Sequence, residues 1–190
     1  HVDVGNPGAY LVTYSVSDQA GNQAATLSRT VIVDDSQPPV VYLLGASALT
    51  HEAGTPFVEP GAYAMDTLDG NLTDIIIGGS VNVNALDAYQ LTYDIADAAN
   101  NTATRLIRTV TVVDTTSPVL TLLGSAEISH DSIEPYIDPG VIASDSLDGN
   151  LTAQVVVGGN LDSNNIGTYL VTYDVSDQAG NAAVRITREV

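Results

Sequence analysis

Two matched sets of oxygen-bearing side chains carry the chemistry this chain could perform. Asp114, Asp145, Asp148, Asn150, Asp177 and Asn181 form one; Asp35, Asp66, Asp69, Asn71, Asp97 and Asn101 precede them by 79 residues in the first four pairs and 80 in the last two. Carboxylates and carboxamides are the donors a hard cation prefers, and calcium collects six to eight such oxygens from Asp, Asn, backbone and water. The spacing is not the Asp-x-Asp-x-Asp-Gly of an EF-hand loop. A metal-free reading stands beside the first: Asp177 and Asn181 close a turn through side-chain to backbone bonds, and Asp148-Gly149-Asn150 is a good turn by itself.

Acid–base catalysis is the other chemistry to weigh. His51 and His130 recur at offset 79 beside Glu52 and Asp131. Each sits in an alternating segment such as Glu127-Ile-Ser-His130, where a partly exposed strand histidine is the commoner case. No phosphate loop, Gly-x-Ser-x-Gly elbow or His-Glu-x-x-His helix occurs, and there is no Cys. The chain reads as non-enzymatic.

The elements that must position these residues are announced by a repeat. Gly8-Ala-Tyr-Leu-Val-Thr-Tyr14, Asp87-Ala-Tyr-Gln-Leu-Thr-Tyr93 and Gly167-Thr-Tyr-Leu-Val-Thr-Tyr173 place Tyr10, Tyr89 and Tyr169 at offsets of 79 and 80. Pro56-Phe-Val-Glu-Pro-Gly61 answers Pro135-Tyr-Ile-Asp-Pro-Gly140 in the same way. The repeat predicts the back end of one domain at 1–34, a complete domain at 35–113 and a nearly complete one at 114–190, read as a fragment of a longer array. Along Tyr169-Leu-Val-Thr-Tyr-Asp-Val-Ser, residues 169, 171, 173 and 175 share one face, the two-residue period of a half-buried strand. Asp177-Gln-Ala-Gly-Asn181 is a hairpin turn with Gly180 at positive φ, and Asn100 takes that place one repeat earlier. No helical period is sustained, so many short strands with frequent turns imply a β-sandwich.

Composition narrows the function classes. Against 23 acidic residues stand five Arg and no Lys, for a net charge of −18, which excludes nucleic acid and anionic lipid as partners. No stretch approaches the roughly 20 apolar residues of a membrane span, so no membrane insertion is expected in this fragment. Without Cys or Lys neither a disulfide nor a Lys-based isopeptide staple can form, and one Phe with no Trp leaves little bulk for a core. The arginines, Arg29, Arg105, Arg108, Arg185 and Arg188, fall in the last strand of each unit and are expected to pair with carboxylates on neighbouring strands.

These motifs, Asp114-Thr-Thr-Ser-Pro opening a unit, Asp-Pro-Gly and Asp-Gly-Asn in its middle, and Gly-Thr-Tyr-Leu-Val-Thr-Tyr with Asp-Gln-Ala-Gly-Asn near its end, resemble the bacterial immunoglobulin-like repeats of surface proteins, relatives of hyalin repeats. The resemblance covers essentially the whole chain. It implies an all-β fold of tandem immunoglobulin-like β-sandwich domains arranged end to end, each of about seven strands, in a prokaryotic cell-surface or secreted protein. Tyr169 resembles the tyrosine corner of such sandwiches. Asp87 for Gly167 and Asn100 for Gly180 depart from the pattern at turns.

In a lengthwise array the last strand runs away from its hairpin, so the 177–181 turn should meet the linker at Asp114. A junctional calcium would then be held by Asp114 and Asp177 with Asp145, Asp148, Asn150 or Asn181, and by the equivalents one unit earlier. The expected partners are neighbouring repeats of the same chain, and the expected role is a rigid spacer or stalk of an adhesin or surface fibre, about 33 Å per domain for strands of about ten residues. Two alternatives remain. A carbohydrate- or ligand-binding module would need exposed aromatics, and the Tyr occupy core positions. A self-assembling filament subunit would have other copies complete the front domain by strand addition. Asn71, Asn100 and Asn150 also match the glycosylation sequon, and read as turn residues.

Overall fold

The computed structural model describes residues 1–131 and 134–190. Its strands are short and bounded by the Gly, Pro, Asn and Asp clusters of the sequence. β1 (Gly8–Tyr14) and β2 (Leu27–Val33) pair as an antiparallel hairpin. Then come β3 (Val40–Leu43), β4 (Ala48–Glu52), β5 (Ala62–Asp66), β6 (Gly70–Leu72), β7 (Ile76–Gly78), β8 (Ala88–Asp94) and β9 (Leu106–Val113). They form two sheets, ordered β3-β5-β6 and β4-β9-β8-β7. The third repeat supplies β10 (Val119–Leu122), β11 (Val141–Asp145), β12 (Gly149–Asn150), β13 (Val156–Gly159), β14 (Leu170–Asp174) and β15 (Ile186–Glu189), again as two sheets, β10-β11-β12 and β13-β14-β15. Where β4 has its counterpart, a single bridge joins Glu127 to Glu189. The fold is all-β and immunoglobulin-like; among the described residues the helical element is a 3-10 turn at Thr152–Gln154, and no helix is long and apolar enough to cross a membrane.

The chain divides into two compact units, one of His1–Ala48, Glu59–Ser80 and Gln90–Thr109, the other of Leu49–Val58, Val81–Tyr89 and Val110–Val190. In the first, Val41, Ala64, Leu91 and Tyr93 are buried. In the second, Val141, Val171 and Tyr173 are packed by Leu120, Leu122, Val155, Leu161 and Ile186, and Ala143, Leu151 and Val175 form an adjoining cluster. The alternation of β14 holds: Val171, Tyr173 and Val175 face inward, and Thr172, Asp174 and Ser176 are half-buried or exposed.

The predicted local chemistry is present. Gly180 has φ 94° and Asn100 has φ 68°, the left-handed region that Gly and Asn tolerate best. The Tyr169 hydroxyl donates to Asn165 O at 3.1 Å, Tyr89 to Ala85 O at 3.0 Å and Tyr10 to Asn6 O at 2.7 Å. All three close the four-residue loop of a tyrosine corner.

Arg29, which takes the place of Arg108 one repeat earlier, is exposed in β2; the other four arginines divide into two kinds. Arg105 and Arg185 reach Asp94 and Asp174 at 2.7 Å on the surface, with their own side chains 62% exposed. Arg108 and Arg188 are fully buried, and their carboxylate partners lie in the Pro-Gly segments, not on neighbouring strands. Arg108 Nε is 3.1 Å from Glu59 Oε1, and its other nitrogens donate to the carbonyls of Ala46, Leu44 and Gly61. Arg188 pairs with Asp138 and donates to the carbonyls of Ser125, Leu123 and Gly140. Tyr93 and Tyr173 donate their hydroxyls to the same carboxylates, and burial together with that negative partner raises both phenols above their ordinary pKa. In the second and third repeats a strand arginine thus ties together two loops, the one that follows β3 or β10 and the Pro-Gly bend. The strand pattern could not reveal this, because the partner is set by the Glu-Pro-Gly or Asp-Pro-Gly bend.

Candidate functional site

Three carboxylates converge twice. Asp35, Asp66 and Asp69 form one group and Asp114, Asp145 and Asp148 the other, and in each group one oxygen from every residue lies within 4.8 Å of those from the other two. Each group is built by local turns. Asp145, the last residue of β11, turns Oδ1 back to accept from Leu147 N at 2.8 Å and Asp148 N at 3.0 Å. Asp66, the last residue of β5, does the same with Leu68 N at 2.7 Å and Asp69 N at 3.0 Å. In the linkers, Asp114 Oδ1 accepts from Thr116 N and Asp35 Oδ1 from Gln37 N, both at 3.1 Å.

Those bonds occupy one oxygen of each of these four carboxylates. Asp66 Oδ2, Asp114 Oδ2 and Asp145 Oδ2 are buried and make no hydrogen bond, although the Asp66 and Asp114 residues are only 7% and 9% exposed. An acceptor shut away from water without a donor costs about 1–3 kcal/mol, and more when charged. Asp114 and Asp145, at up to 4.8 Å, also repel by about 3 kcal/mol at an effective dielectric of about 20. Burial pushes the Asp114 carboxyl above its ordinary pKa, against the bond from Thr116 N, and the negative charges of Asp145, Asp177 and Glu52 add to the rise. The arrangement is one that a cation would satisfy.

The hairpin turn does meet the linker. Asn181 Nδ2 donates to Asp114 O at 3.1 Å, and Asn101 Nδ2 to Asp35 O at 3.1 Å. The 145–150 loop, which spacing left unplaced, lies at the same end: Asp148 Oδ2 accepts from Gln178 N and Asp69 Oδ2 from Ala98 N, each at 2.7 Å. The remaining candidates stand outside the converging oxygens. Asp177 accepts from Asn181 N and Nδ2 at 2.7 and 2.9 Å, and Asp97 from Asn101 in the same way. Burial raises the Asp177 carboxyl, but the bonds from Asn181, Gly180 and Ala179 outweigh it and leave the pKa below its ordinary value. These four residues make the turn bonds of the metal-free reading and fix the linker. Asn150 Oδ1 accepts from Thr152 N at 2.9 Å, and Asn71 is exposed in β6.

His51 Nε2 donates to Thr55 O at 3.0 Å and His130 Nε2 to Glu134 O at 2.8 Å, each beside the ring of Phe57 or Tyr136. The histidines fasten a local bend. Sequence reasoning missed Glu52. Its carboxylate accepts from Thr115 N at 2.9 Å, Thr115 Oγ1 at 2.8 Å and Thr116 Oγ1 at 2.7 Å, bonds that hold its pKa down at about 2. The signal available was the acidic residue after each histidine, Glu52 and Asp131.

Over 195 residues the chain is 30% identical to hyalin of Lytechinus variegatus, a match covering 95% of this chain and 36% of that protein. It is 29% identical over 198 residues to the pesticidal crystal protein Cry22Aa of Bacillus thuringiensis, covering 96% and 26%. An uncharacterized 81.3 kDa protein of Acholeplasma phage L2 is 28% identical over 184 residues, covering 92% and 25%. The chain therefore spans a quarter to just over a third of these relatives. A solved structure of the M60 catalytic domain with two CBM51 domains from Clostridium perfringens ZmpB shares the fold at a TM-score of 0.50 and 12% identity, over 99% of this chain and 33% of that one. The sequence profile described as bacterial surface protein, Ig-like domain matches residues 1–33, 41–112 and 120–190. With all three repeats matched, the chain belongs to the bacterial surface protein Ig-like domain family.

Proposed function

We propose that this segment is a spacer of an extracellular surface protein, in which each linker entering a repeat is locked by one calcium ion. Asp114, Asp145 and Asp148 hold one ion; Asp35, Asp66 and Asp69 hold the other. The observation that carries the reading is the set of buried, unpartnered oxygens Asp66 Oδ2, Asp114 Oδ2 and Asp145 Oδ2, of which Asp66 Oδ2 and Asp145 Oδ2 recur at the same place in consecutive repeats. A lone accident of packing would not repeat. Oxygen donors with no sulfur or imidazole favour a hard cation, and a set of three carboxylates suits calcium, which completes its shell with backbone oxygens and water. Extracellular calcium about 100-fold above its dissociation constant would add about 2.7 kcal/mol per site. The energy would fix the angle between linker and loop, which is what a load-bearing strut requires. Thermal melting with calcium and with chelator tests the reading: a domain of this size should gain about 10–20 °C, and identical midpoints would remove calcium from the account.

A further inference from the structure

The two carboxylate groups share their ligands but not their surroundings. Glu52, the last residue of β4 in the second repeat, reaches the linker of the third and holds Thr115 and Thr116 with three hydrogen bonds, 2.7 to 2.9 Å long. The next residues continue the contact. Ala53 N donates to Val113 O at 2.8 Å, immediately before Asp114, and Ala53 is buried. At Gly54 a Cβ would lie 3.5 Å from Ser146 O, within the turn that joins Asp145 to Asp148. Residues 52–54 therefore brace both the linker that presents Asp114 and the turn that presents Asp145 and Asp148. Residues 1–34 correspond to about residues 81–113 of the second repeat, so within these 190 residues the Asp35 linker can be titrated without an equivalent of Glu52.

We infer that Glu52 is a positioning residue that makes the metal site at Asp114 depend on the repeat before it. The inference rests on the calcium reading above and adds its regulation: a linker site binds tightly only when the preceding domain is folded and its acidic clasp is closed on the two threonines. Fixing Thr115 and Thr116 holds Asp114 Oδ2 toward Asp145 and Asp148 before the ion arrives, so that less ordering remains to oppose binding. Each occupied junction then reports that its upstream neighbour is intact. The site at Asp35 carries the same three carboxylates without the clasp and serves as an internal control.

The test is a calorimetric calcium titration of the whole chain in two backgrounds. Asp66→Asn with Asp69→Asn leaves the Asp114 site; Asp145→Asn with Asp148→Asn leaves the Asp35 site. Thr115→Val with Thr116→Val removes the clasp's hydroxyl donors but keeps the Glu52 charge, and Glu52→Gln removes the charge and one acceptor oxygen but keeps the threonines. The expected result is at least a tenfold weaker Asp114 site in each clasp variant, with the Asp35 site unchanged. If the Asp114 site binds calcium equally well with the threonines replaced, the clasp inference is overturned and the calcium reading survives. Equal weakening of both sites would show a general loss of structure and overturn it too. No calcium binding in either background with the clasp intact would defeat the underlying reading instead.

Discussion

Replacing Arg188 with Ala should unfold the third repeat, whereas replacing Arg185, three residues away, should leave it intact. Arg188 is fully buried, pairs with Asp138 and donates to the carbonyls of Ser125, Leu123 and Gly140. Its loss leaves the Asp138 carboxylate with two hydroxyl donors and no cation, Tyr173 at 2.7 Å and Tyr136 at 3.3 Å, and it opens a cavity in the space the side chain filled. Breaking a buried ion pair by removing one partner costs about 3–5 kcal/mol, and the freed carbonyls add to this where water cannot reach them. A repeat of this size, with no covalent staple, has a total stability near the lower end of about 5–15 kcal/mol. A loss of about 4 kcal/mol is therefore most of it. Arg185 makes one bond to Asp174 from a side chain 62% exposed, worth about 0–1 kcal/mol. The assay is amide exchange read by mass spectrometry over β14 and β15 in the whole chain, where 4 kcal/mol accelerates exchange about a thousandfold. Replacing Arg188 with Met and Asp138 with Leu together should recover part of the loss, because the stranded charge is gone. If Arg188→Ala and Arg185→Ala exchange alike, the buried arginine does not hold the third repeat together.

Three further outcomes follow from the same geometry. Asp114→Asn should stabilise the chelated chain by about 1–3 kcal/mol, since it removes a repelling charge and adds a donor facing Asp145 Oδ2, and it should abolish the calcium-dependent rise in melting temperature at that site. The Asp114 carboxyl is raised above its ordinary value of 3.8, so without metal this residue's own contribution becomes less favourable as pH rises from there through the raised value, and calcium affinity falls as pH drops through the same window. Glu52 has the opposite sign: its pKa falls from 4.5 to about 2 on folding, so its contribution is complete above 4.5 and disappears as pH drops toward 2. Denaturation profiles with chelator from pH 2 to 8, in wild type, Asp114→Asn and Glu52→Gln, separate the two. Gly159 has φ 122°, and a Cβ there would be driven into the Leu170 carbonyl oxygen; Gly159→Ala should cost about 3 kcal/mol in urea denaturation, and a cost below 1 kcal/mol would contradict the close approach of β13 to β14.

The strands, the hairpin turns and the tyrosine corners were legible because each is written in nearby residues: alternation along 169–176, Gly180 or Asn100 at the turn, and a Tyr two residues past Gly167. The acidic groups were half legible. Repetition marked Asp114, Asp145 and Asp148 together, and the lengthwise argument brought the turn to the linker. Which oxygens stay free is decided by Asx bonds inside each loop, and those spend Asp177, Asp97, Asn181 and Asn101 on turn geometry. The inward face of Arg108 and Arg188 was legible by alternation, since Arg108 is in phase with Val110 and Val112 while Arg105 and Arg185, three residues back, fall on the other face. That the carboxylates of the Pro-Gly bends would meet them was not, because those bends are remote in sequence. Glu52 acts 63 residues away in sequence, across a repeat boundary, where no local rule reaches.

Whether the paired linker carboxylates are built for cations is read by calorimetric titration of the chelator-treated chain with calcium at neutral pH and physiological salt. Two ions should bind per chain, one removed by Asp145→Asn with Asp148→Asn and the other by Asp66→Asn with Asp69→Asn. No heat of binding up to millimolar calcium, or binding untouched by those substitutions, would contradict this expectation.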